Sequence, residues 1–188
     1  MKVIIGCEES QRVCIAFRER GHEAYSCDIK PCSGGHPAWH IQDDILKHLN
    51  DGWDFGIFHP DCTYLANSGV CWRVERKEWR QIEEAAIFFN TVNAAPFPHV
   101  TENPIQHKYA RTLIKKYNQI VHPHYFGDPE SKATCLWLTG VPELVRTHFM
   151  DKNEIKQSLH YLAPSNERKT LRSKTFQGIA NAMASQWG

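Results

Sequence analysis

Four short apolar runs, each ending in polar residues and separated by stretches of helical period, restrict this chain to a narrow set of folds. KVIIG (2–6), EAYSCD (23–28), WDFGIFHP (53–60) and PHVTENP (98–104) have strand length. Near-continuous apolar runs of that length suit strands covered on both faces, as in parallel sheets. Between them, Ser10–Arg20 places Val13, Ile15, Ala16 and Phe17 on one helical face and meets a natural stop at Gly21. Residues 76–93 put Trp79, Ile82, Ala86, Phe89 and Val92 at three- and four-residue spacing. A further helix is predicted over His107–Tyr117. Strands alternating with helices imply an α/β fold with a mostly parallel, doubly wound sheet and helices on both faces. Beyond residue 118 the pattern changes. QIVHPHYF and TCLWL read as sheet-edge strands around the loop GDPESKA, residues 140–174 are polar and irregular, and FQGIANAMASQW closes as a helix. The expectation is a single domain over 1–188 with an irregular segment at about 123–174.

Composition narrows the function classes. An apolar content of 41% and a charged content of 23% are those of a globular domain, and no segment has the length and apolarity to span a bilayer. MKVIIGCEES is too short an apolar run for a signal peptide, so cytoplasmic residence is expected. The seven cysteines follow no paired framework and read as buried or reactive thiols in a reducing compartment. Net charge is +1, but residues 146–174 carry seven Lys/Arg against three Asp/Glu, and Lys108, Arg111, Lys115 and Lys116 form a second basic stretch. Either could meet phosphates or be a solvated face.

In open α/β sheets, ligands bind beyond the carboxyl ends of the strands. Here the strands run out into Gly6-Cys7-Glu8-Glu9-Ser10, Asp28, His59-Pro60-Asp61-Cys62 and Thr101-Glu102-Asn103-Pro104. The first turn has one glycine, which disfavours a pyrophosphate pressed on the backbone and suits a nucleoside cofactor without one, such as S-adenosylmethionine. Asp28 would take its ribose; Asp44 would take the adenine amino group or simply cap the helix before ILKHL. Tyr64, Asn67 and Ser68 form a polar loop beyond Cys62, either beside substrate or an ordinary turn. Lys132 and Thr134 could hold a phosphate, with Trp137 packing, or this stretch could be structural. Cys32, His36 and His40 have a C-x3-H-x3-H spacing without a fourth ligand, and no metal is expected; Trp39 beside them could cover the adenine or belong to the core.

GCEES, Asp28, DDI, HPDC, TEN, the Arg168/Arg172 pair and GIANAMA occur in the order of the motifs of DNA cytosine-5 methyltransferases. Strings such as HP-x-CTYL-x-NSG, ENP and ESKATCLWL resemble the short, phage-type members. The resemblance implies a Rossmann-like methyltransferase fold and S-adenosylmethionine-dependent methylation of cytosine C5 in DNA. Cys62 would then add to C6, Glu102 would contact N3 and the exocyclic amine, and Arg168 or Arg172 would brace base and cysteine loop. Gly6, Cys7, Glu8, Ser10, Asp28, Asp44, Pro60 and Asn181 would fall at the cofactor, and Asp61, Tyr64, Asn67, Ser68, Asn103, Lys132 and Thr134 at the substrate.

The residue types suit that chemistry. Pyrimidine C5 is a poor nucleophile until a soft thiolate adds at C6, and charge gathering at N3 needs a proton donor. Three departures set further expectations. Asp61 stands where the family has proline, and its charge would raise the Cys62 pKa. Gln11 replaces a glycine of the first turn. Only eight residues separate Arg172 from Asn181, too few for a region that reads duplex DNA. The substrate would then be a single strand, RNA or a free pyrimidine nucleotide, or a protein partner would supply recognition. A site degenerate through Asp61 would leave a nucleotide- or nucleic-acid-binding module, as in a phage factor in a bacterial host.

Overall fold

The computed structural model describes residues 1–158, 165 and 172–188. Seven strands form one sheet: β1 Lys2–Gly6, β2 Glu23–Cys27, β3 His40–Ile41, β4 Phe55–Phe58, β5 His99–Pro104, β6 Gln119–Val121 and β7 Thr134–Thr139. Their spatial order is β3-β2-β1-β4-β5-β7-β6. The pairs from β3 to β5 are parallel, and β7 is antiparallel to both its neighbours. The order reverses between β1 and β4, the switch point at which such sheets open a crevice. This is the mostly parallel α/β sheet that the alternating sequence predicts. Its order, with β7 reversed beside the edge, is that of the Rossmann-like methyltransferase fold that the resemblance implies.

Helices cover both faces. On one, α1 (Arg12–Arg18) and α4 (Gln177–Trp187) pack Val13, Phe17, Ile179 and Met183 onto Val3, Ile5, Ile57 and Val100. On the other, α3 (Trp79–Val92) buries Ile82, Ala86, Phe89 and Val92. Phe89 and Ala86 meet Trp137 and Ile114 there, while Val92 lies with Ile4, Ile45 and Phe58. Each fully buried side chain of this size contributes about 1.5–3 kcal/mol. Trp79 is 41% exposed and meets Tyr109 edge-on at 5.0 Å, so the buried stripe of α3 starts one turn later than its spacing suggests. In α1, Cys14 faces inward instead of Ile15. Gly6 ends β1 where a Cβ would lie 2.7 Å from both Ile45 and Phe58, so only glycine fits.

Three expectations are corrected. TCLWL is an interior strand, because β7 turns back between β5 and β6; β6 takes the edge. His107–Tyr117 forms only a 3-10 turn at Ala110–Thr112. There the His107 ring accepts from Ala110 N (3.0 Å) and reaches out of the segment to Tyr64 O, while Arg111 turns back to Gln106 O. A short helix, α2 (Val70–Glu75), appears where none is predicted; it buries no residue, so it leaves no periodic signal. Among the described residues, no helix is long and apolar enough to cross a membrane.

Candidate active site

Parallel register sets the geometry. Phe58, the last residue of β4, pairs with Thr101 of β5, so the next residues, His59 and Glu102, stand side by side at the carboxyl edge. His59 Nδ1 and Glu102 Oε2 are 2.9 Å apart, with side chains 9% and 13% exposed. Burial disfavours both charges. The hydrogen bond and charge of Glu102, with help from Glu8, nevertheless hold the His59 pKa above its ordinary value. Burial is likewise overcome at Glu102, whose carboxyl is held below the usual range by the His59 hydrogen bond and charge, with Lys132 adding to it. The two shifts agree in direction: each favours an imidazolium paired with a carboxylate. His59 Nε2 is buried and has no partner among the described residues.

Cys62 follows three residues after His59, in a loop stitched to the segment after β5. Asn103 Nδ2 donates to Pro60 O at 2.9 Å, Asn67 N to Ile105 O at 2.8 Å and His107 N to Leu65 O at 3.0 Å. His107 Nε2 lies 2.8 Å from Tyr64 O; with Nδ1 accepting from Ala110 N, the ring is the neutral Nε2–H tautomer. The predicted nucleophile and acid are therefore borne on one hydrogen-bonded unit. Burial first, then the charges of Asp61 and Glu102, raise the Cys62 thiol pKa, and Lys132 opposes them. The direction expected from Asp61 is thus present, though burial is the larger cause. Cys14, Cys27 and Cys135 are pushed by burial to about 12, as thiols enclosed in the core.

Asp61 has a structural task that the sequence reading missed. Its Oδ1 accepts from Thr63 N at 2.8 Å and from Thr63 Oγ1 at 2.5 Å, an Asx turn that shapes the chain around Cys62. The D-x-T spacing was the available signal. Tyr64 lies under the Arg73 guanidinium, 4.4 Å from its ring centroid, and Arg73 also pairs with Glu78 at 2.9 Å. Ser68 is exposed at the loop's far end.

On the far side, Lys132 and Thr134 join Glu102, Thr175, Phe176 and Ile179 around a narrow pocket between β5, β7 and α4. Lys132 Nζ donates to Arg172 O at 2.8 Å, which brings the backbone of Arg172 beside the site. Arg168 lies outside the described residues. Thr134 is buried at the start of β7, its hydroxyl 3.4 Å from Lys132 O. Trp137 is core, its indole N–H on Lys115 O at 2.6 Å.

The other half of the edge is acidic. Cys7, at φ 60°, has its thiol pKa raised by burial and then by Asp28, Cys27, Asp44 and Asp61, so these carboxylates ring the β1–α1 turn. Asp28 Oδ1 accepts from Lys30 N (2.9 Å), and Asp44 Oδ1 caps Leu46 N (3.0 Å). One oxygen of each stays uncommitted among the described residues. Glu8 is turned inward: its two oxygens accept from Val13 N (2.7 Å) and Cys14 N (3.2 Å), closing the start of α1. Burial raises its carboxyl pKa despite His59 and those two donors.

Gln11 occupies the left-handed region at φ 59° and is fully buried. Its amide donates to His36 O (2.9 Å) and Ser26 Oγ (3.2 Å) and accepts from His36 N (3.0 Å). Gly34 passes so close that a Cβ there would lie 2.6 Å from Gln11 Cβ and from Ser10 O. The loop after β2 thus rests on the first turn, at Ser10–Gln11. His36 stacks on Trp39 at 4.0 Å, and His40 is bonded to Ser26 Oγ and Lys30 O. Among the described residues no His/Cys/Asp/Glu group is placed to hold a metal. Asn181 sits on the exposed side of α4, bonded to Gln177 at 2.9 Å.

A nucleoside carrying ribose hydroxyls, an amino group and a cationic centre would complement this acceptor set. Uncommitted Asp28 and Asp44 oxygens can accept from hydroxyl and amino groups, and the surrounding negative charge favours a cation.

No family model matches the chain, and no curated protein matches it. Among solved structures it is similar to the crystal structure of S. pombe Dnmt2 methyltransferase, with a TM-score of 0.45 and 16% identity. The match covers 87% of this chain and 61% of that one. Likeness at this level carries neither activity nor substrate across.

Proposed function

We propose that the protein is a C5-pyrimidine methyltransferase acting on cytosine in DNA, with Cys62 as nucleophile and Glu102 as the group at N3. One observation carries the reading: a cysteine loop and a carboxylate, at the ends of adjacent parallel strands, are tied together and act electrostatically on each other. When bound, S-adenosylmethionine would supply a methyl group to C5 from its sulfonium. Asp28 and Asp44 would hold its nucleoside, and Gly6 and Cys7 would form the turn beneath it. The residues of this chain would do the rest. Cys62 adds to C6, Glu102 protonates or hydrogen-bonds N3 as the ring gains charge, and Lys132 offsets the carboxylates around both. Attack on C6 and transfer to C5 require a base out of its stack, so a single strand is the favoured form. The exposed indole of Trp72 and the Arg73 and Arg76 side chains, around an open basin beside the Cys62 loop, support a polynucleotide over a free nucleotide.

Trapping tests this directly. Single-stranded DNA containing 5-fluorocytosine, incubated with protein and S-adenosylmethionine, should give a covalent species that survives denaturation and vanishes in Cys62→Ala. RNA and free fluoro-nucleotide serve as parallel arms. A trap on either alone replaces DNA as the substrate. No trap with any of them, in folded protein shown by calorimetry to bind the cofactor, sinks the enzymatic reading. The raised Cys62 pKa favours that second reading, a nucleic-acid-binding module without turnover.

A further inference from the structure

We propose that His59 holds the proton that Glu102 delivers to N3, so that the two residues form a two-membered relay. This rests on the C5 reading above and deepens it. Without a partner, a buried glutamate would gain its proton by burial alone and serve as the acid itself. Here the structure places an imidazole 2.9 Å from the carboxylate, at the one register position where β4 and β5 bring their ends together. The raised His59 pKa and the lowered Glu102 pKa both favour the proton of the pair on His59 Nδ1.

The groups facing His59 come from each element packed on it. They are Glu102 on β5, Glu8 in the β1–α1 turn and Lys132 before β7. Burial and Lys132 oppose the imidazolium, and the hydrogen bond and charge of Glu102, with Glu8 adding to them, outweigh both. His59 N is itself anchored to Gly6 O at 2.9 Å, so the ring is held from the backbone on one side and by Glu102 on the other.

The step balances. Cys62 releases its proton to solvent and forms the S–C6 bond, and the C5–C6 π pair moves toward N3. Glu102 first takes the His59 Nδ1 proton on Oε2, and the resulting carboxylic acid turns to give that proton to N3. The pair passes from imidazolium and carboxylate to neutral imidazole and carboxylate, and the adduct is neutral. When C5 has taken its methyl from the sulfonium donor and lost its proton to solvent, the S–C6 bond breaks and N3 returns its proton by the same route. His59 does not touch the base; it is a positioning residue acting through Glu102.

Exchange of the C5 hydrogen of cytosine with solvent reports addition at C6 without methyl transfer. With single-stranded DNA carrying 5-tritiated cytosine, the wild-type exchange rate should fall as pH rises through the raised His59 value. His59→Gln, which keeps a donor to Glu102 but cannot titrate, should lose that limb and exchange about 100-fold more slowly, the lower range for general acid catalysis. Circular dichroism and thermal unfolding check that the variant folds. If it misfolds, NMR titration of histidine-labelled wild type and Glu102→Gln takes its place: the His59 midpoint should lie above 6.5 and fall in the variant. Exchange in wild type with the limb intact in His59→Gln overturns the relay and leaves the C5 reading standing. So does a His59 midpoint unmoved by Glu102→Gln. No exchange in wild type on DNA, RNA or nucleotide overturns both.

Discussion

Replacing Gln11 tests whether the first turn is built around its side chain or merely tolerates it. In Gln11→Gly the turn becomes free to adopt φ 59° without a Cβ, which relieves about 1 kcal/mol of left-handed strain. Against this, three hydrogen bonds are lost, to His36 O, from His36 N and to Ser26 Oγ. Each contributes about 0.5–1.5 kcal/mol, so the gross loss is about 1.5–4.5 kcal/mol. Ser26 keeps other partners, on Trp39 O and His40 Nδ1, which places its share at the low end. His36 N loses its partner outright, at the high end. The net expectation is a destabilisation of about 1–3 kcal/mol, or about 2–12 °C in Tm for a chain of this length. Gln11→Ala loses the same bonds and keeps the strain, so it should be less stable than Gln11→Gly by about 1 kcal/mol. Urea unfolding of the three proteins measures the order, and limited proteolysis between residues 31 and 37 should quicken in both variants as the loop lifts. A Gln11→Gly protein as stable as wild type, with that loop equally protected, would refute the clamp and make Gln11 a passive substitute for glycine.

Two further outcomes follow from the site. Asp61→Asn keeps the acceptor for Thr63 and should leave stability unchanged, whereas Asp61→Ala loses the Asx turn at about 1 kcal/mol; both remove a charge that raises the Cys62 pKa, so iodoacetamide should alkylate Cys62 faster at pH 7.5. Equal stability of the two variants, or unchanged alkylation, would contradict the roles given to Asp61. The His59–Glu102 pair has His59 raised above 6.5 and Glu102 lowered below 4.5, so its contribution is full between about those values. It declines as pH rises through the raised His59 value and as pH falls through the lowered Glu102 value. Urea midpoints of wild type minus His59→Gln, measured from pH 3 to 9, should trace that dome, and a flat difference would count against the ion pair.

How much of this was readable beforehand depended on where each signal resides. The four parallel strands, α3 and the strand-end residues Cys62 and Glu102 were legible because burial on both faces and helical period leave local patterns. The place of β7 was not. TCLWL has the same apolar run whether it lies at an edge or between β5 and β6, and only its partners distinguish the two. His59 was legible only as part of the end of the third strand, since its neighbour across the sheet is set by register and not by chain proximity. Asp44 offered two readings from one sequence: its Oδ1 caps Leu46, while its other oxygen remains available at the edge. Glu8, which the resemblance places at the cofactor, uses both of its oxygens to close the start of α1.

The reversed direction of β7 has a consequence for how such a site can change. Parallel strands reach the crevice only with the residues that follow them, which then lead straight into the next helix and must keep its path. A strand running the other way arrives there with the residues that precede it. Lys132 is delivered by such a lead-in, from a surface connection tied at Ser131 and Lys156 and not committed to any crossover helix. Lengthening or recharging that connection can therefore alter what rests against Glu102 while the register of β4 and β5, and the pairing of His59 with Glu102, stay as they are. The sheet keeps one adjustable approach beside a fixed pair of reacting ends.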